Sequence, residues 1–288
     1  MSINISFEEI KKFWPSSAPN IKNINKYVNK YKSESIVIKC GGNVLIDNNL
    51  FDNFIDDIII LNKLGLSIIV VHGGGPRIKK ELEKSNITTK FIRGLRVTDN
   101  KIINIVENVL IDFNNEIVNA INKKGAKAIS INTKAKNIIN VTPENEELGF
   151  VGAPEKINKK IIEELLKKNQ IPIVAPLGIG KNYQTYNING DTAAGAIAKS
   201  LKSRRLLLMT NVEGVLDKKK NLVSEISSSN ILEMIKNGTI TGGMIPKINT
   251  CLDSVKNGVT GVAIIDGRKQ HSILNEIFSD TGAGTLIR

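Results

Sequence analysis

From residue 35 onward, short apolar runs of strand length alternate with segments that have helical spacing. A buried strand, a crossover helix and a further strand, repeated along a chain, predict a mostly parallel sheet with helices on both faces. The predicted strands are 35–39, 66–72, 127–131, 171–175, 205–210 and 262–266. The predicted helices are 50–64, 101–122, 157–169, 191–201, 229–236, 247–256 and 270–277, together with one that follows three glycines and carries Ile78 and Leu82. The sequence therefore predicts an α/β fold.

The first 33 residues differ in character from the rest of the chain. They are polar and rich in Lys and Asn, with a W-P-S-S-A-P break at 14–19 before a helix-compatible stretch at 23–31. We expect residues 1–33 to form a helical arm that is appended to the core. The polar segment 178–186 is interpreted as a loop between an N-terminal lobe, 34–180, and a C-terminal lobe, 181–288.

The composition bears on where the protein is located. The 288 residues contain no run of about 18 apolar residues, which argues against a membrane-spanning helix. The N-terminal residues lack the pattern of a secretory signal, and Cys40 and Cys251 match no disulfide framework or metal-ligand spacing. We expect a cytoplasmic protein, or one of the plastid stroma if the gene is plastid-encoded, since the richness in Asn and Ile suggests an A/T-biased genome.

The formal net charge of +12 raises the question of a nucleic-acid partner. The basic residues are nearly all Lys, seven are Arg, and they are spread along the chain. Few aromatic residues are available to stack on bases, and no RNA- or DNA-reading motif is recognisable. These features disfavour a nucleic acid and are compatible with a small anionic substrate.

Two glycine-rich turns follow predicted strands. Lys39 ends the first strand and precedes Gly41 and Gly42, while residues 73–75 are three glycines between the second strand and a helix start. Backbone N–H groups in such turns can approach an anion closely, although one glycine would satisfy a tight structural turn. Neither the dinucleotide fingerprint nor the P-loop motif is present. His72 is either a hydrogen-bonded turn residue or a catalyst.

The remaining polar segments contain the other candidate site residues. Arg96 follows a glycine in G-L-R-V-T-D and offers a bidentate fork for a carboxylate. In N-I-N-G-D-T, Asn187 and Asn189 alternate on an extended segment, and Asp191 or Thr192 can cap the following helix of small residues. Lys247 ends the turn G-G-M-I-P-K. Two lysines beside glycine turns are typical of phosphoryl transfer, which depends on positioning and charge stabilisation.

Taken together, these segments resemble the amino acid kinase family. The combination that carries the resemblance is H-G-G-G-P, R-G-L-R-V-T, E-L-G-F-V-G (147–152), Y-N-I-N-G-D-T-A-A-G and G-G-M-I-P-K. Within the family it points to the members that phosphorylate N-acetyl-L-glutamate. The resemblance implies an αβα sandwich in which the N-terminal lobe binds N-acetyl-L-glutamate and the C-terminal lobe binds ATP with Mg²⁺.

The resemblance also implies roles for individual residues. Lys39 and Lys247 would stabilise the charge on the transferring phosphoryl group, and Asp191 would orient both lysines. The predicted acceptor-binding residues are Gly74, Gly75, Arg96, Asn187 and Asn189. The predicted nucleotide-binding residues are Gly41, Gly42, Asn211, Gly214, Leu216, Thr241 and Gly243. No protein ligand for a metal is implied, and the acceptor's γ-carboxylate is already ionised, so no general base is needed.

Both ends of the chain resemble the arginine-inhibited, hexameric branch of that family. Tyr27 lies in a helix-compatible segment like that branch's N-terminal helix, and His271 lies in a tail, 264–285, like its effector region. The resemblance implies a homo-oligomer, a dimer or a hexamer in which dimers are joined by the N-terminal helices, with arginine as effector. A PII-type signalling protein is a further possible partner. The alternative is a plain packing helix.

Four positions depart from the family pattern. Thr133 and Ala135 stand where a glycine and an aspartate are usual, Asn211 replaces an aspartate, and Thr281 stands where an acidic residue is often found. Thr133 and Ala135 affect the order of the 132–135 loop. Asn211 affects a contact with the nucleotide, and Thr281 affects sensitivity to arginine. Two other functions stay open: a family member with another acceptor, such as an aminoadipate derivative or carbamate, or a non-catalytic regulatory or RNA-binding protein.

Overall fold

The apolar runs of the sequence form the strands of an eight-stranded central sheet in a computed structural model of the chain. The structure describes residues 6–41, 44 and 46–288, so Gly42 lies outside the described residues. The helices are α1 Phe7–Lys11, α2 Ile24–Tyr31, α3 Asn48–Lys63, α4 Gly75–Lys84, α5 Asn100–Lys123, α6 Lys159–Lys167, α7 Gly190–Leu201, α8 Ser228–Lys236, α9 Met244–Lys256 and α10 Ser272–Ile277. The strands are β1 Ser35–Cys40, β2 Ser67–His72, β3 Phe91–Ile92, β4 Leu95–Arg96, β5 Ala128–Ile131, β6 Ile139–Pro143, β7 Gly152–Ile157, β8 Ile171–Val174, β9 Leu177–Ile179, β10 Thr185–Asn187, β11 Arg205–Thr210, β12 Glu225–Ile226, β13 Val262–Asp266 and β14 Gly284–Ile287.

The central sheet is mostly parallel, as predicted. Its strand order is β12-β14-β13-β11-β1-β2-β8-β5, and β14 runs antiparallel to β13 while the other neighbours are parallel. Strand β1 lies at the centre, with β2 on one side and β11 on the other. The chain therefore leaves β1 in one direction and later returns to its other side, which creates a crevice at the carboxyl ends of these strands.

Successive residues of the central strands contribute to two separate apolar layers. Val37, Ile69 and Leu208 pack in one cluster with the buried residues of α6, α7 and α9. Their neighbours Ile38 and Val70 pack in the other cluster with α3, α5 and α10. Because side chains alternate across a strand and both faces are covered by helices, these strands are apolar at nearly every position. The predicted αβα sandwich is confirmed.

The N-terminal arm is helical, but the expectation that it lies outside the core is wrong. Ile24, Tyr27, Val28 and Tyr31 of α2 are buried and belong to the same apolar cluster as α3 and α10. Their spacing places them on one face of a helix. The ring of Tyr27 lies edge-on against Phe278, with 6.3 Å between the centroids.

Residues 178–186 form secondary structure rather than the expected loop. Strands β9 and β10 pair antiparallel around a short turn and join β6 and β7 in a second sheet of order β10-β9-β6-β7. These strands are short, and β9 contains Gly178, where a side chain would clash with Val141 at 2.5 Å. An apolar run long enough to signal a strand is absent, so the periodicity of the sequence did not reveal this sheet.

Within the described part of the chain, no helix is both long enough and apolar enough to span a membrane.

Candidate active site

The carboxyl ends of the central strands bring the predicted site residues to one edge of the sheet. Lys39 is near the end of β1, residues 73–75 follow β2, and residues 211–216 follow β11. Because these three strands are parallel neighbours, the segments that follow them lie side by side. The N-terminus of α7 lies at the same edge, since a Cβ at Gly190 would lie 3.2 Å from the side chain of Lys39.

Asp191 pairs with both lysines at this edge. Its Oδ1 lies 3.0 Å from the Nζ of Lys39, and its Oδ2 lies 2.5 Å from the Nζ of Lys247. The three side chains are only 12–14% exposed. Two ammonium groups and one carboxylate leave the cluster with a net positive charge, in a place where solvent screens it weakly.

The two lysines also determine the protonation state of Asp191. Burial by itself would raise the pKa of this carboxyl, but the nearby ammonium groups of Lys39 and Lys247 outweigh burial and hold the pKa well below its usual range. Asp191 is therefore ionised at neutral pH and keeps the two lysines together.

The N-cap of α7 differs from the prediction. Asn189 caps the helix, since its Oδ1 accepts hydrogen bonds from the backbone N–H groups of Asp191 (2.9 Å) and Thr192 (3.1 Å), so the expectation of Asp191 or Thr192 as the cap is wrong. The side chain of Asp191 is thereby left for the lysines. The small residues of α7 let α9 pack closely, because a Cβ at Gly195 would lie 2.9 Å from Thr250.

A cavity of about 260 Å³, here called the glycine-loop cavity, lies next to the lysine pair. Its polar lining consists of Lys39, Arg96, Asn187, Asn189 and Asp191. Residues 73–75 and Gly41 supply backbone, and its apolar wall includes Ile78, Leu110, Val151 and Ile188. The structure thus brings together all the predicted acceptor-binding residues. Gly41, predicted to bind nucleotide, lies in this cavity too, where a Cβ would clash with the Nζ of Lys39.

Arg96 reaches this cavity from the β3–β4 hairpin. Its Nη1 donates a hydrogen bond to the Oγ1 of Thr89 at 2.8 Å, and its guanidinium lies 4.7 Å from the ring centroid of Phe91. Its Nη2 donates to the Gly75 carbonyl at 3.5 Å, so the guanidinium reaches the glycine turn, and its fork can hold a carboxylate in a bidentate contact.

The segment E-L-G-F-V-G connects that hairpin to β10. The N–H of Thr98 donates to the carbonyl of Leu148 (3.0 Å), and the N–H of Phe150 donates to the carbonyl of Thr98 (2.7 Å). Gly149 has φ 66° and ψ −123°, and a Cβ there would lie 2.5 Å from the Thr98 carbonyl oxygen. Sequence reasoning used this segment for the resemblance alone and missed that Gly149 holds Arg96 and Asn187 in register.

A second cavity of about 640 Å³, the α9 cavity, lies on the other side of the lysine pair. Gly242, Gly243 and Lys247 line it together with Asp191. The N-terminus of α9 opens into it, and a helix N-terminus favours anions. Thr241 directly precedes these glycines. Asn211, Gly214 and Leu216 follow β11 and line neither of these two cavities.

Arg93 also lines the α9 cavity, and sequence reasoning missed it. It precedes Gly94 at the tip of the β3–β4 hairpin and has φ 49°, a left-handed conformation that is uncommon for arginine. The signal that could have revealed it is the R-G-L-R turn, in which two arginines flank a glycine hairpin and point to neighbouring cavities.

The two predicted effector residues lie in the core. The Nδ1 of His271 is 2.6 Å from Oδ1 of Asp57, and Tyr27 packs against Phe278. A separate cavity of about 310 Å³, the arm cavity, is lined by neither of them but by other side chains, including Lys30, Tyr31, Arg205, Glu276, Asp280 and Thr281.

The 132–135 loop is held by its own side chains. The Oδ1 of Asn132 accepts hydrogen bonds from the N–H groups of Lys134 and Ala135, both at 2.9 Å. The hydroxyl of Thr133 donates to Glu107 at 2.6 Å. Thr133 and Ala135, which depart from the family pattern, are thus part of an ordered turn.

Among residues 6–41, 44 and 46–288, no three His, Cys, Asp or Glu side chains are grouped to hold a metal ion. Asp191 lines both cavities and has both oxygens on lysines, and Glu144 also lines the α9 cavity. Because both oxygens of Asp191 are engaged, a metal ion at this site would need further oxygen ligands from a bound molecule or from water.

Comparisons with known proteins give consistent results. The model of the amino acid kinase family matches residues 34–266. The acetylglutamate kinase of Pelagibacter ubique (strain HTCC1062) is 54% identical over 98% of this chain and 98% of its own. The solved structure of smu.665 from Streptococcus mutans UA159 is 34% identical, with a TM-score of 0.75, and covers 88% of this chain and 98% of its own.

A more distant structure has the same fold. The N-acetylglutamate synthase of Neisseria gonorrhoeae, solved with coenzyme A and L-arginine, has a TM-score of 0.81 at 20% identity and covers 93% of this chain. At 20% identity the likeness concerns the fold alone, and this chain spans 64% of that longer protein.

Proposed function

This chain belongs to the amino acid kinase family, and on that premise we propose that it transfers the γ-phosphoryl group of ATP to the γ-carboxylate of N-acetyl-L-glutamate. The product is N-acetyl-L-glutamyl 5-phosphate, formed in the second step of arginine biosynthesis. The predicted kinase activity is confirmed by relatives named acetylglutamate kinase. The observation that carries the proposal is the buried Lys39–Asp191–Lys247 cluster between two cavities.

The glycine-loop cavity suits an acylated amino acid. Arg96 offers its guanidinium to the α-carboxylate, and Asn187 offers an amide to the acetamido group. Among the described residues that line this cavity, Asp191 is the one acidic side chain, and both its oxygens are engaged by lysines. A free α-ammonium group would find no counter-charge there, whereas an acetylated nitrogen needs none. This favours N-acetylglutamate over glutamate.

The lysine cluster supplies electrostatic stabilisation rather than acid–base chemistry. A carboxylate with an ordinary pKa near 4 is ionised at neutral pH, so the acceptor needs no general base. Its oxygen attacks the γ-phosphorus, and the bond from that phosphorus to the β–γ bridging oxygen breaks, leaving ADP. Lys39 and Lys247 neutralise charge on the phosphoryl oxygens and the leaving group, and Asp191 keeps the two ammonium groups in place.

The α9 cavity is proposed to hold the polyphosphate of ATP. The glycines at 242 and 243, the helix N-terminus and Arg93 present N–H groups and positive charge to it. Asn211, Gly214, Leu216 and Thr241 are assigned to the rest of the nucleotide by the family resemblance. Mg²⁺ is proposed to arrive on the phosphate oxygens of ATP, where it offsets their charge.

The test is an assay that traps the acyl phosphate as hydroxamate in the presence of MgATP. We expect turnover with N-acetyl-L-glutamate and none above background with glutamate, aminoadipate derivatives or carbamate. Lys247→Ala should lower kcat on the order of 10²-fold, because its contact strengthens in the transition state. Lys159→Ala, on the exposed part of α6, is the matched control and should keep kcat. Turnover with another acceptor alone would refute the assigned substrate.

We also propose feedback by arginine, with the arm cavity as its site. Glu276 is buried there and can pair with a guanidinium, and Lys30 and Arg205 can pair with an α-carboxylate. Within the described residues, the buried Nε of Arg205 has no hydrogen-bond partner, so it is free for a ligand oxygen. Tyr27 and His271 act in this proposal through packing behind the cavity.

The feedback proposal is tested by arginine inhibition of wild type and Glu276→Gln. The substitution should raise the arginine concentration for half-inhibition at least about tenfold, because a buried charge pair is lost. Its kcat without arginine should stay within about twofold of wild type. Equal inhibition of the two proteins would contradict this site.

The predicted assembly and location stay predictions. We propose a homo-oligomer, a dimer or a hexamer, in the cytoplasm, with a PII-type protein as a possible partner. Sedimentation velocity with and without arginine would distinguish monomer, dimer and hexamer.

A further inference from the structure

Four polar side chains form a continuous hydrogen-bonded chain through the apolar core. They are His72 at the end of β2, Asn114 on α5, Ser130 on β5 and Asn132 directly after β5. His72 and Asn114 are fully buried, and Asn132 is 5% exposed. This series of hydrogen bonds begins at the glycine turn of the active site and ends at the 132–135 loop.

The chemistry of the groups determines the direction of each hydrogen bond. Asn132 Nδ2 donates to Ser130 Oγ (2.8 Å), and that hydroxyl donates to Asn114 Oδ1 (2.6 Å). Asn114 Nδ2 then donates to the Ile173 carbonyl (2.9 Å) and to His72 Nε2 (3.1 Å).

An amide nitrogen can only donate, so Nε2 of His72 must be an unprotonated acceptor. The single ring proton of His72 is therefore on Nδ1, which donates to the Gly73 carbonyl at 2.9 Å. Burial lowers the pKa of His72 to about 4, and the charge of Arg77 adds to the effect. The imidazole thus stays neutral, in one tautomer, throughout the physiological pH range.

This hydrogen bond completes the restraint of Gly73. Its N–H donates to the Cys40 carbonyl at 2.8 Å, so both sides of the residue are held by the ends of β1 and β2. Glycine has wide backbone freedom, and residues 73–75 line the glycine-loop cavity together with Lys39. A Gly73 carbonyl without its partner could turn toward the anionic groups in that cavity and repel them.

We propose that His72 is a positioning residue for phosphoryl transfer, which holds the Gly73 carbonyl while Asn114 fixes the tautomer that this task requires. The inference rests on the proposed function. Ser130 and Asn132 serve in it to hold the amide of Asn114 through their hydrogen bonds. His72 itself does not exchange protons with the substrate.

Two substitutions of His72 separate positioning from packing. In His72→Asn the amide nitrogen stands near the former Nδ1 and can still donate to Gly73, whereas in His72→Gln the amide stands near the former Nε2. Both variants lose ring volume and should lose similar thermal stability. We expect His72→Asn to keep kcat within about threefold, and His72→Gln to lose kcat on the order of 10- to 100-fold with little change in KM for MgATP. Equal kcat values for the two variants would overturn the inference.

Asn114→Asp tests the tautomer through a pH profile. The carboxylate of Asp at position 114 can only accept a hydrogen bond, so Nε2 of His72 must carry a proton to bond with it. Nδ1 must also keep its proton to bond with the Gly73 carbonyl, and only the imidazolium form carries both protons. The new carboxylate raises the pKa of His72, so the competent form exists below that pKa and is lost above it. The other titratable or charged groups beside His72 are Arg77, which stays charged, and the thiol of Cys40, whose burial raises its pKa to about 12. The ratio of variant to wild-type kcat should fall from pH 6 to pH 9, and a flat ratio would contradict the proposal.

A measurement on the unsubstituted protein does not depend on the folding of any variant. Long-range ¹H–¹⁵N correlation spectra should show His72 as the Nδ1–H tautomer without titration between about pH 5.5 and 8.5. An Nε2–H tautomer or a titrating His72 would overturn the inference. Failure of the proposed function is distinguishable, because it would appear as absent turnover by the unsubstituted chain.

Discussion

Arg93 stands in a backbone conformation that few side chains adopt, at the tip of the hairpin that separates the two cavities. Its φ is 49° and it lines the α9 cavity, whereas Arg96 of the same hairpin lines the glycine-loop cavity. A short hairpin thereby contributes a cation to each cavity. Arginine at this position has no structural advantage over asparagine, which tolerates left-handed backbone better, so a role for its charge is the simpler explanation.

Replacing Arg93 with asparagine removes this charge and retains a residue suited to the backbone. We expect Arg93→Asn to raise KM for MgATP about five- to tenfold and to leave KM for N-acetylglutamate unchanged. Lys181→Asn, an equal change of charge on the second sheet, is the matched control for net charge. The measurement is steady-state kinetics with each substrate varied in turn. Equal changes of KM for MgATP in Arg93→Asn and Lys181→Asn would contradict a role of the Arg93 charge in binding MgATP.

Asp191 links protonation to stability. Its pKa is held below the ordinary value in the folded state, so the carboxylate form binds fewer protons than the unfolded chain does at acidic pH. Its stabilising contribution is thus fully present above the unfolded pKa of about 4 and is lost as the pH falls toward the folded value. We expect urea unfolding between about pH 5 and pH 3 to show a steeper loss of stability for wild type than for Asp191→Asn. If the stability of the two proteins fell in parallel with pH, the ion pairs of Asp191 with the lysines would not stabilise the fold.

Backbone contacts connect the elements that carry the acceptor-binding residues. The E-L-G-F-V-G segment pairs with Thr98 on one side, and Val151 forms a bridge with Asn187 on the other. These bridges connect the hairpin that carries Arg96 to β10, which carries Asn187, through the 147–152 segment.

Gly149→Ala tests this connection, with Gly65→Ala as its control. Both glycines have positive φ, 66° and 75°, so both substitutions strain the backbone. At Gly149 the added Cβ also meets the Thr98 carbonyl oxygen at 2.5 Å, whereas at Gly65 no atom lies within 4 Å. We expect Gly65→Ala to lose roughly 1 kcal/mol of stability and Gly149→Ala to lose more, and only Gly149→Ala to raise KM for N-acetylglutamate, by about tenfold or more. An equal KM in the two variants would contradict the account.

The charge of the whole molecule acts at longer range than these contacts. A net charge of +12 attracts anionic substrates and is screened by salt beyond about 10 Å. Lys39, Asp191 and Lys247 are mostly buried, so salt screens their mutual interactions less.

Ionic strength should therefore affect the encounter of the enzyme with MgATP more than the phosphoryl-transfer step. We expect kcat/KM for MgATP to fall about threefold or more between about 50 and 300 mM KCl, with kcat nearly unchanged. Retention on RNA that competes with MgATP would instead support the nucleic-acid alternative. A kcat that falls in parallel with kcat/KM would show that salt reaches the lysine cluster.

Most of the central sheet was predictable because its strands have strong local patterns. Apolar runs such as 66–72 and 205–210, each followed by a polar or glycine turn, correspond to β2 and β11 within one or two residues. The second sheet was missed, since its strands are short and Gly178 interrupts β9. The arm was wrongly placed outside the core, although the spacing of Ile24, Tyr27, Val28 and Tyr31 already marked an apolar face.

The α/β alternation, the position of Lys39 and of the glycine turn at strand ends, and the family membership could all be read from the sequence, because each depends on local spacing and residue type. The tertiary structure alone decided that Asp191 meets both lysines, that Asn189 takes the cap, that Arg93 and Arg96 serve different cavities, and that His72 is joined to the 132–135 loop through Asn114. These contacts join residues far apart in the chain. Their existence depends on how β1, β2, β11 and the helices pack, and no local pattern encodes that packing.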